Sequence, residues 1–119
     1  MPRLPILTAL LCVAPFLLAA PVPAQQRDWL LSGGELLEAL KGHAAPEIAD
    51  AEIRRMVSSA RAQAYILGVA DGSHGAGRCR RPAMLPHEMA DRVATHLQGL
   101  PAARLGGGAA PLVMEALPC

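Results

Sequence analysis

The chain has 119 residues, of which 11 are lysine or arginine and 10 are aspartate or glutamate, so its formal net charge is +1. Proteins that bind nucleic acid usually carry a clearly basic face and aromatic side chains on which bases stack. Aromatic residues make up only 3% of this chain and the net positive charge is only +1, so no nucleic-acid partner is expected.

The first 24 residues have the pattern of a cleaved signal peptide. Arg3 supplies a positive charge, residues 4–20 are almost entirely apolar, and Val22 and Ala24 precede a cut before Gln25. A membrane anchor is the alternative, but an apolar run of about 17 residues with two internal prolines is marginal for a bilayer core of ~30 Å. The sequence therefore predicts two parts, a signal peptide over 1–24 and an exported domain over 25–119.

The mature region begins with a short helix. Ser32 and Glu35 have the spacing of a capping box, in which each side chain bonds the other residue's backbone N–H. Leucines follow at helical spacing and Gly42 is a C-terminal stop, so a first helix is predicted over about 33–41.

A long helix is predicted from Pro46 to about Asp71, with acidic residues in its first turns, where they suit the helix dipole. Apolar residues recur along it with a period of 3.6, which predicts that they form its buried face. These residues are Ala49, Ile53, Met56, Val57, Ala60, Ala64 and Leu67.

Glycine and proline divide the rest of the chain. Residues 72–81 read as a loop, a third helix begins at Pro86 and ends near Gly99, and residues 106–108 form a flexible glycine break. A last helix is predicted over about 109–117. Because no strand-like alternation appears, we expect an all-α fold, a small bundle of four to five helices.

The cysteines predict one disulfide. Cys12 leaves with the signal peptide, and Cys79 and Cys119 remain as an even pair in an exported domain. Their ring of about 40 residues contributes roughly 4 kcal/mol in the chain-entropy model. This contribution is large for a domain of this size, whose hydrophobic core is small.

No catalytic or metal-binding pattern is found, so neither an enzyme nor a cofactor is expected. The histidines lack metal-ligand spacing, and the zinc-motif-like stretch from His87 has Asp91 where the second histidine belongs. A hydrolase with Cys79 as nucleophile and His74 as base is the remaining alternative. The cysteine pair argues against it, because a bridged cysteine is not a nucleophile.

The densest charge cluster consists of Arg78, Arg80 and Arg81, around Cys79. One interpretation is a solvated loop beside a disulfide. The other is a contact surface, because a loop pinned by a cross-link loses little entropy on binding. The residues alone leave both interpretations open.

Several short blocks of the chain occur in the order and spacing of a known family. The pattern resembles the Rap/Tai family, whose members are small exported helical proteins, several of them immunity proteins of type VI secretion. The blocks are Ser32-Gly33-x-Glu35-Leu36-Leu37, Tyr65-Ile66-x-Gly68-Val69-Ala70-Asp71, Cys79-x-x-Pro82, Asp91-x-Val93, Ala109-Ala110-x-Leu112-Val113 and Pro118-Cys119.

The resemblance implies a periplasmic immunity protein, often a homodimer, that binds and occludes a secreted peptidoglycan amidase. We expect the 72–81 loop to plug the cleft of that enzyme. An envelope protein on the same scaffold with a non-toxin partner is the alternative. Two cysteines usual in the family are replaced by Leu40 and Ala62, whose apolar side chains are expected to pack where that bridge would lie. The residues assigned to partner contact are Ser73, His74, Arg78, Arg80 and Arg81, and those assigned to the scaffold are Tyr65, Gly68, Asp71 and Pro82. Gly68 is expected to let the long helix pack closely against a neighbour, and Asp71 to cap that helix or turn the chain into the 72–81 loop.

Overall fold

The computed structural model describes residues 27–75 and 81–119. Its helices in chain order are α1 (Gly33–Leu40), α2 (Ala51–Gly75), α3 (Pro86–Gln98), α4 (Ala102–Leu105) and α5 (Ala109–Ala116). The prediction of an all-α bundle is confirmed for this part of the chain. The predicted signal peptide and Cys79 lie outside the described residues.

Helix α1 starts as its sequence predicts. The Ser32 hydroxyl accepts a hydrogen bond from the Glu35 N–H at 3.1 Å, and the Glu35 carboxylate accepts one from the Ser32 N–H at 2.7 Å. These bonds satisfy donors that an open helix end leaves without a partner. After the helix, Gly42 has a φ of 89°, a left-handed conformation that glycine adopts without strain.

The core lies where α1, α2, α3 and α5 meet. Ala62 is buried within the core, and Leu40 is half-buried and packs against it. No helix in residues 27–75 and 81–119 has both the length and the apolarity to span a membrane. The largest fully buried side chains are Leu36, Ile66, Val93, Leu97, Val113 and Leu117.

The predicted buried face of α2 is wrong. Ile53 and Met56 are 48% and 56% exposed, and Ala60 and Ala64 are exposed as well. The helix carries apolar residues on two sides, and only the contacts with other helices decide which side is covered. The buried positions are Ser58, Ala62, Ile66 and Ala70, which repeat every four residues.

The bounds of α2 also differ from the prediction, because the helix begins at Ala51 and continues through residues assigned to the loop, to Gly75. In the segment 46–50, the Asp50 carboxylate accepts a hydrogen bond from the Ile53 N–H at 2.9 Å. Asp50 thus acts at the start of the helix rather than inside it.

The glycines at 106–108 have a defined conformation, although a flexible break was predicted there. Gly106 ends α4, a single turn that sequence reasoning missed. The Gly107 carbonyl accepts a hydrogen bond from the Gly33 N–H at 2.9 Å, and Gly108 forms an isolated bridge with Ser32. The segment therefore joins the start of α1 to the start of α5.

Candidate functional site

The end of α2, the segment before α3 and the end of α5 meet at one end of the bundle. Arg81 connects all three. Its Nε donates a hydrogen bond to the Leu117 carbonyl at 2.7 Å, and its Nη1 donates to the Ala70 carbonyl at 3.1 Å and to the Ser73 hydroxyl at 2.9 Å. We call this set of hydrogen bonds the Arg81 clamp.

The clamp forms because a helix end leaves carbonyl groups without a helical donor. Leu117 is the residue after α5, so its carbonyl accepts a bond from outside the helix. A guanidinium group offers five donors in a rigid fork and can serve several acceptors at once. One side chain thereby fixes three chain segments relative to one another.

A shallow groove of about 280 Å³ lies beside the clamp. Asp71 and His74 are exposed at its rim, whereas Met84 and Met89 are half-buried and contact the core. The groove thus combines an apolar base with a polar edge, which suits contact with a protein surface better than with a small ion. It is lined by Ala70, Asp71, His74, Arg81, Pro82, Ala83, Met84 and Met89.

The residues predicted to contact a partner fall into three groups. Ser73 and Arg81 are bonded to each other within the clamp, and the Ser73 hydroxyl also donates to the Ala70 carbonyl at 2.8 Å. His74 lies exposed in the last turn of α2 rather than in a loop. Arg78 and Arg80 lie outside the described residues.

The predicted scaffold residues have different surroundings. Tyr65 is half-buried against the core, and burial raises the pKa of its hydroxyl, while a backbone hydrogen bond with Ala110 acts in the opposite direction. Asp71 lies inside α2 and is exposed, so it does not turn the chain out of the helix as expected. Pro82 is exposed beside Arg81.

Gly68 does not have the surroundings that the sequence predicted. A close approach of α2 to a neighbouring helix was expected there. The structure contradicts this expectation, because within residues 27–75 and 81–119 no atom lies within 4 Å of a Cβ atom added at Gly68.

A second groove, of about 460 Å³, lies between α3 and α5, and sequence reasoning missed it. Glu115 on its edge accepts hydrogen bonds from Arg104 at 2.7 Å and lies 3.3 Å from Nε2 of His96. The bonds from Arg104 lower the pKa of the Glu115 carboxyl below its usual value, and His96 adds to the effect. No motif connects these residues, since they come from three different helices.

Two further observations concern metal-ligating side chains and serine hydroxyls among the described residues. In residues 27–75 and 81–119, no group of three or more histidine, cysteine, aspartate or glutamate side chains is arranged to hold a metal ion. The hydroxyls of Ser58 and Ser59 donate to the carbonyls of Ala39 and Leu40, so they serve helix packing. The alternative nucleophile, Cys79, lies outside the described residues.

A family model described as Rap1a immunity proteins matches residues 32–119, a range that begins at the N-cap of α1 and includes all the helices described above. A search of curated proteins finds none that matches.

Proposed function

The chain belongs to the Rap1a immunity protein family, and from this premise we propose that its mature domain protects the cell in the periplasm. It does so by binding and inhibiting a secreted peptidoglycan amidase, an effector of type VI secretion. The family implies a protein partner, an effector. The amidase, the periplasmic site of action and the absence of catalysis are part of the proposal.

The observation that carries this proposal is the family match over 88 consecutive residues, from 32 to 119. The Arg81 clamp supports the choice of the contact site. Ser73 and Arg81, two of the proposed contact residues, are bonded to each other and to the bundle. Their side chains therefore lose less conformational freedom on binding, which favours affinity.

We also propose the Cys79–Cys119 disulfide at this end of the bundle. The hydrogen bond from Arg81 to the Leu117 carbonyl supports it, because each of these residues is two positions from one of the two cysteines. The bridge and the clamp would then hold the same two segments together. Loss of either one alone would leave the other in place.

Survival of competing cells tests the function directly. We expect a strain that lacks the gene to be lysed by sibling cells that deliver their effectors, and the full-length gene to restore survival. The purified protein should then stop peptidoglycan hydrolysis by the responsible amidase. Unchanged survival of the deletion strain would contradict the immunity function and favour the envelope role.

His74 provides a test of the contact site. We expect His74→Ala to weaken binding to that amidase about fivefold, roughly 1 kcal/mol, because truncation of an interface side chain commonly has an effect of this size. His87→Ala is the matched control, since His87 is also exposed but lies at the start of α3. Calorimetric titration measures both variants, and equal affinities would place the contact elsewhere.

We further propose that the protein is a homodimer. The side chains of Ile53 and Met56, exposed one turn apart on α2, support this proposal, because adjoining apolar side chains on a surface can form a contact patch for another protein.

A further inference from the structure

The start of α2 and the segment before it form the walls of a pocket of about 340 Å³. Four of its six lining residues have basic side chains and none is acidic. At about 1.5 Å per residue, Arg54 in this pocket and Ser73 in the Arg81 clamp lie roughly 28 Å apart along the helix axis. We call this site the basic pocket, and it is lined by Lys41, Gly42, His43, Ala51, Arg54 and Arg55.

Arg54 is held in place by the backbone around it. Its Nε donates a hydrogen bond to the Ile48 carbonyl at 2.7 Å, and its Nη2 donates one to the Ala49 carbonyl at 2.9 Å. A guanidinium group has five N–H donors, so these two bonds leave others for a ligand. The side chain is half-buried, and no ion pair within residues 27–75 and 81–119 includes it. An anion from outside would stabilise this partly desolvated charge.

The other basic side chains of the pocket have carboxylate partners that lie outside its lining. Glu38 accepts a hydrogen bond from Lys41 at 2.9 Å and lies 2.8 Å from Nδ1 of His43, and Glu52 pairs with Arg55. All of these side chains are exposed to solvent, and ion pairs between exposed groups contribute little. An incoming carboxylate can therefore compete for Lys41 and Arg55.

The backbone beside the pocket has a fixed and unusual conformation. Gly42 and Ala45 have φ values of 89° and 64°, in the left-handed region, which is unfavourable for alanine. The buried Ser58 hydroxyl accepts a hydrogen bond from the Ala44 N–H at 2.9 Å and donates one to the Ala39 carbonyl at 2.8 Å. Strained backbone persists where the surrounding structure fixes it, and it is frequent at ligand sites.

Glycine at position 42 also determines the shape of the pocket. A Cβ atom at Gly42 would collide with Cγ of Arg55, so the arginine side chain lies directly against the backbone. The methylene groups of Arg55 thereby form part of the wall, while its charged group reaches solvent. The pocket thus combines fixed backbone, apolar methylene groups and several hydrogen-bond donors.

The size and charge of the pocket indicate which ligand it fits. Its volume of about 340 Å³ is larger than one phosphate or carboxylate group and lies in the range of sites for small ligands, about 300 to 1,000 Å³. Guanidinium groups match the planar carboxylate with two parallel hydrogen bonds. Basic groups on two chain segments therefore suit a short peptide with more than one carboxylate.

We propose that the basic pocket binds an acidic peptide segment of a partner protein. Arg54 is the fixed donor to one carboxylate, and Lys41 and Arg55 are donors to others. This surface is separate from the groove beside the Arg81 clamp, so the inference goes beyond the proposed function and does not depend on an amidase. Complementary charge of this kind also accelerates the encounter of two proteins.

The test uses the protein purified after expression of the full-length gene, with tetraglutamate as the probe and tetraglutamine as its uncharged control. Titration followed by nuclear magnetic resonance should show tetraglutamate shifting the amide signals of residues 41–55. The affinity should fall as salt is added, because ions screen the attraction. Tetraglutamine should leave these signals unchanged.

Two variants assign the binding to the pocket. Arg54→Gln, and Lys41→Gln combined with Arg55→Gln, should each raise the dissociation constant about tenfold or more, because hydrogen bonds from charged groups are lost. The combined variant changes only exposed side chains, so it tests the proposal even if Arg54→Gln unfolds the protein. Arg92→Gln, at an exposed position of α3, is the matched control and should bind as the wild type does. Circular dichroism verifies the fold of each variant.

The remaining outcomes separate the alternatives. If inorganic phosphate binds as tightly as tetraglutamate, the pocket is a site for oxyanions in general and the proposal is wrong. Absence of tetraglutamate binding, or an equal loss of affinity in Arg92→Gln and the combined variant, would also overturn it. If the protein binds tetraglutamate in the pocket but protects against no effector, only the proposed function fails.

Discussion

Helix α5 is hydrogen-bonded to other segments at both ends, by backbone groups at its start and by a side chain at its end. At its start, backbone groups make the contact: Gly33 N–H bonds the Gly107 carbonyl at 2.9 Å, and Ala109 N–H bonds the Leu31 carbonyl at 2.8 Å. At its end, the single side chain of Arg81 bonds the Leu117 carbonyl. Backbone bonds survive most substitutions, whereas a side-chain clamp is lost with one residue.

The backbone hydrogen bonds at the start of α5 require the chain segments to approach closely. A Cβ atom at Gly33 would lie 2.5 Å from Cδ1 of Leu112, which is buried, and one at Gly108 would lie 3.3 Å from the Trp29 side chain. The chain can approach this closely only because the side chains are absent. The start of α5 is therefore sensitive to added volume, and its end is sensitive to lost hydrogen bonds.

The largest loss of stability is expected from a side chain added at the start of α5, where the backbone hydrogen bonds lie. Gly33→Val should lower the free energy of unfolding by about 2 to 3 kcal/mol, because it overpacks the contact with Leu112. Gly34→Val is the matched control, since its nearest neighbour lies at 3.6 Å, an ordinary contact distance. Urea unfolding measures both, and equal losses would show that the helix rather than the contact is affected.

A smaller loss of stability is expected from removal of the Arg81 clamp at the end of α5. Arg81→Gln should lower the free energy of unfolding by about 1.5 to 2 kcal/mol, because hydrogen bonds from a charged group are lost to three acceptors. Arg92→Gln, at an exposed position of α3, should change it by less than about 0.5 kcal/mol.

Reduction sharpens the Arg81 comparison. The proposed disulfide would hold the same segments as the Arg81 clamp. If it does, a reducing agent should increase the loss of unfolding free energy caused by Arg81→Gln and leave the loss caused by Gly33→Val nearly unchanged. Equal responses of the two variants would argue against a shared role of bridge and clamp.

The smallest effect is a pH dependence of stability at the start of α1, next to the backbone hydrogen bonds with α5. The Ser32 N–H, followed by Arg27, lowers the pKa of Glu35 in the folded state. Its carboxylate therefore stabilises the fold above the unfolded pKa, and this contribution is lost as the pH falls through the folded pKa. Glu35 is exposed, so solvent limits the effect.

Glu35→Gln isolates this contribution, because an amide oxygen can still accept the capping bond but does not titrate. We expect the variant to be slightly less stable than the wild type at pH 7 and the difference to vanish in acid. Urea midpoints measured at several pH values check this. If the variant is still less stable than the wild type below the pKa of Glu35 in the folded state, the loss of stability comes from the capping hydrogen bond rather than from the charge.

Much of the secondary structure could be predicted, because its signals are local. Ser32 and Glu35 marked the start of α1, and Pro86 marked that of α3. The one-turn helix α4 was missed, since four residues are too few to show a period.

The candidate site was predicted less well. Ser73 and His74 were assigned to a loop on composition, but α2 continues through them, because one glycine does not end a helix whose other contacts hold it. Arg81 was grouped with two neighbouring arginines as a contact residue. Its bonds to Ala70 and Leu117 join segments that are distant in the sequence, so no local pattern could indicate them.

The sequence by itself determined where the described helices α1, α3 and α5 form, because caps and periodic spacing depend on residues a few positions apart. Only the tertiary structure decided which side of α2 is buried. Ile66 and Ala62 lie in the core while Ile53 and Met56 are exposed, although both sides are apolar. Burial depends on which other helices lie against a face, and that is a property of the assembled bundle rather than of the helix.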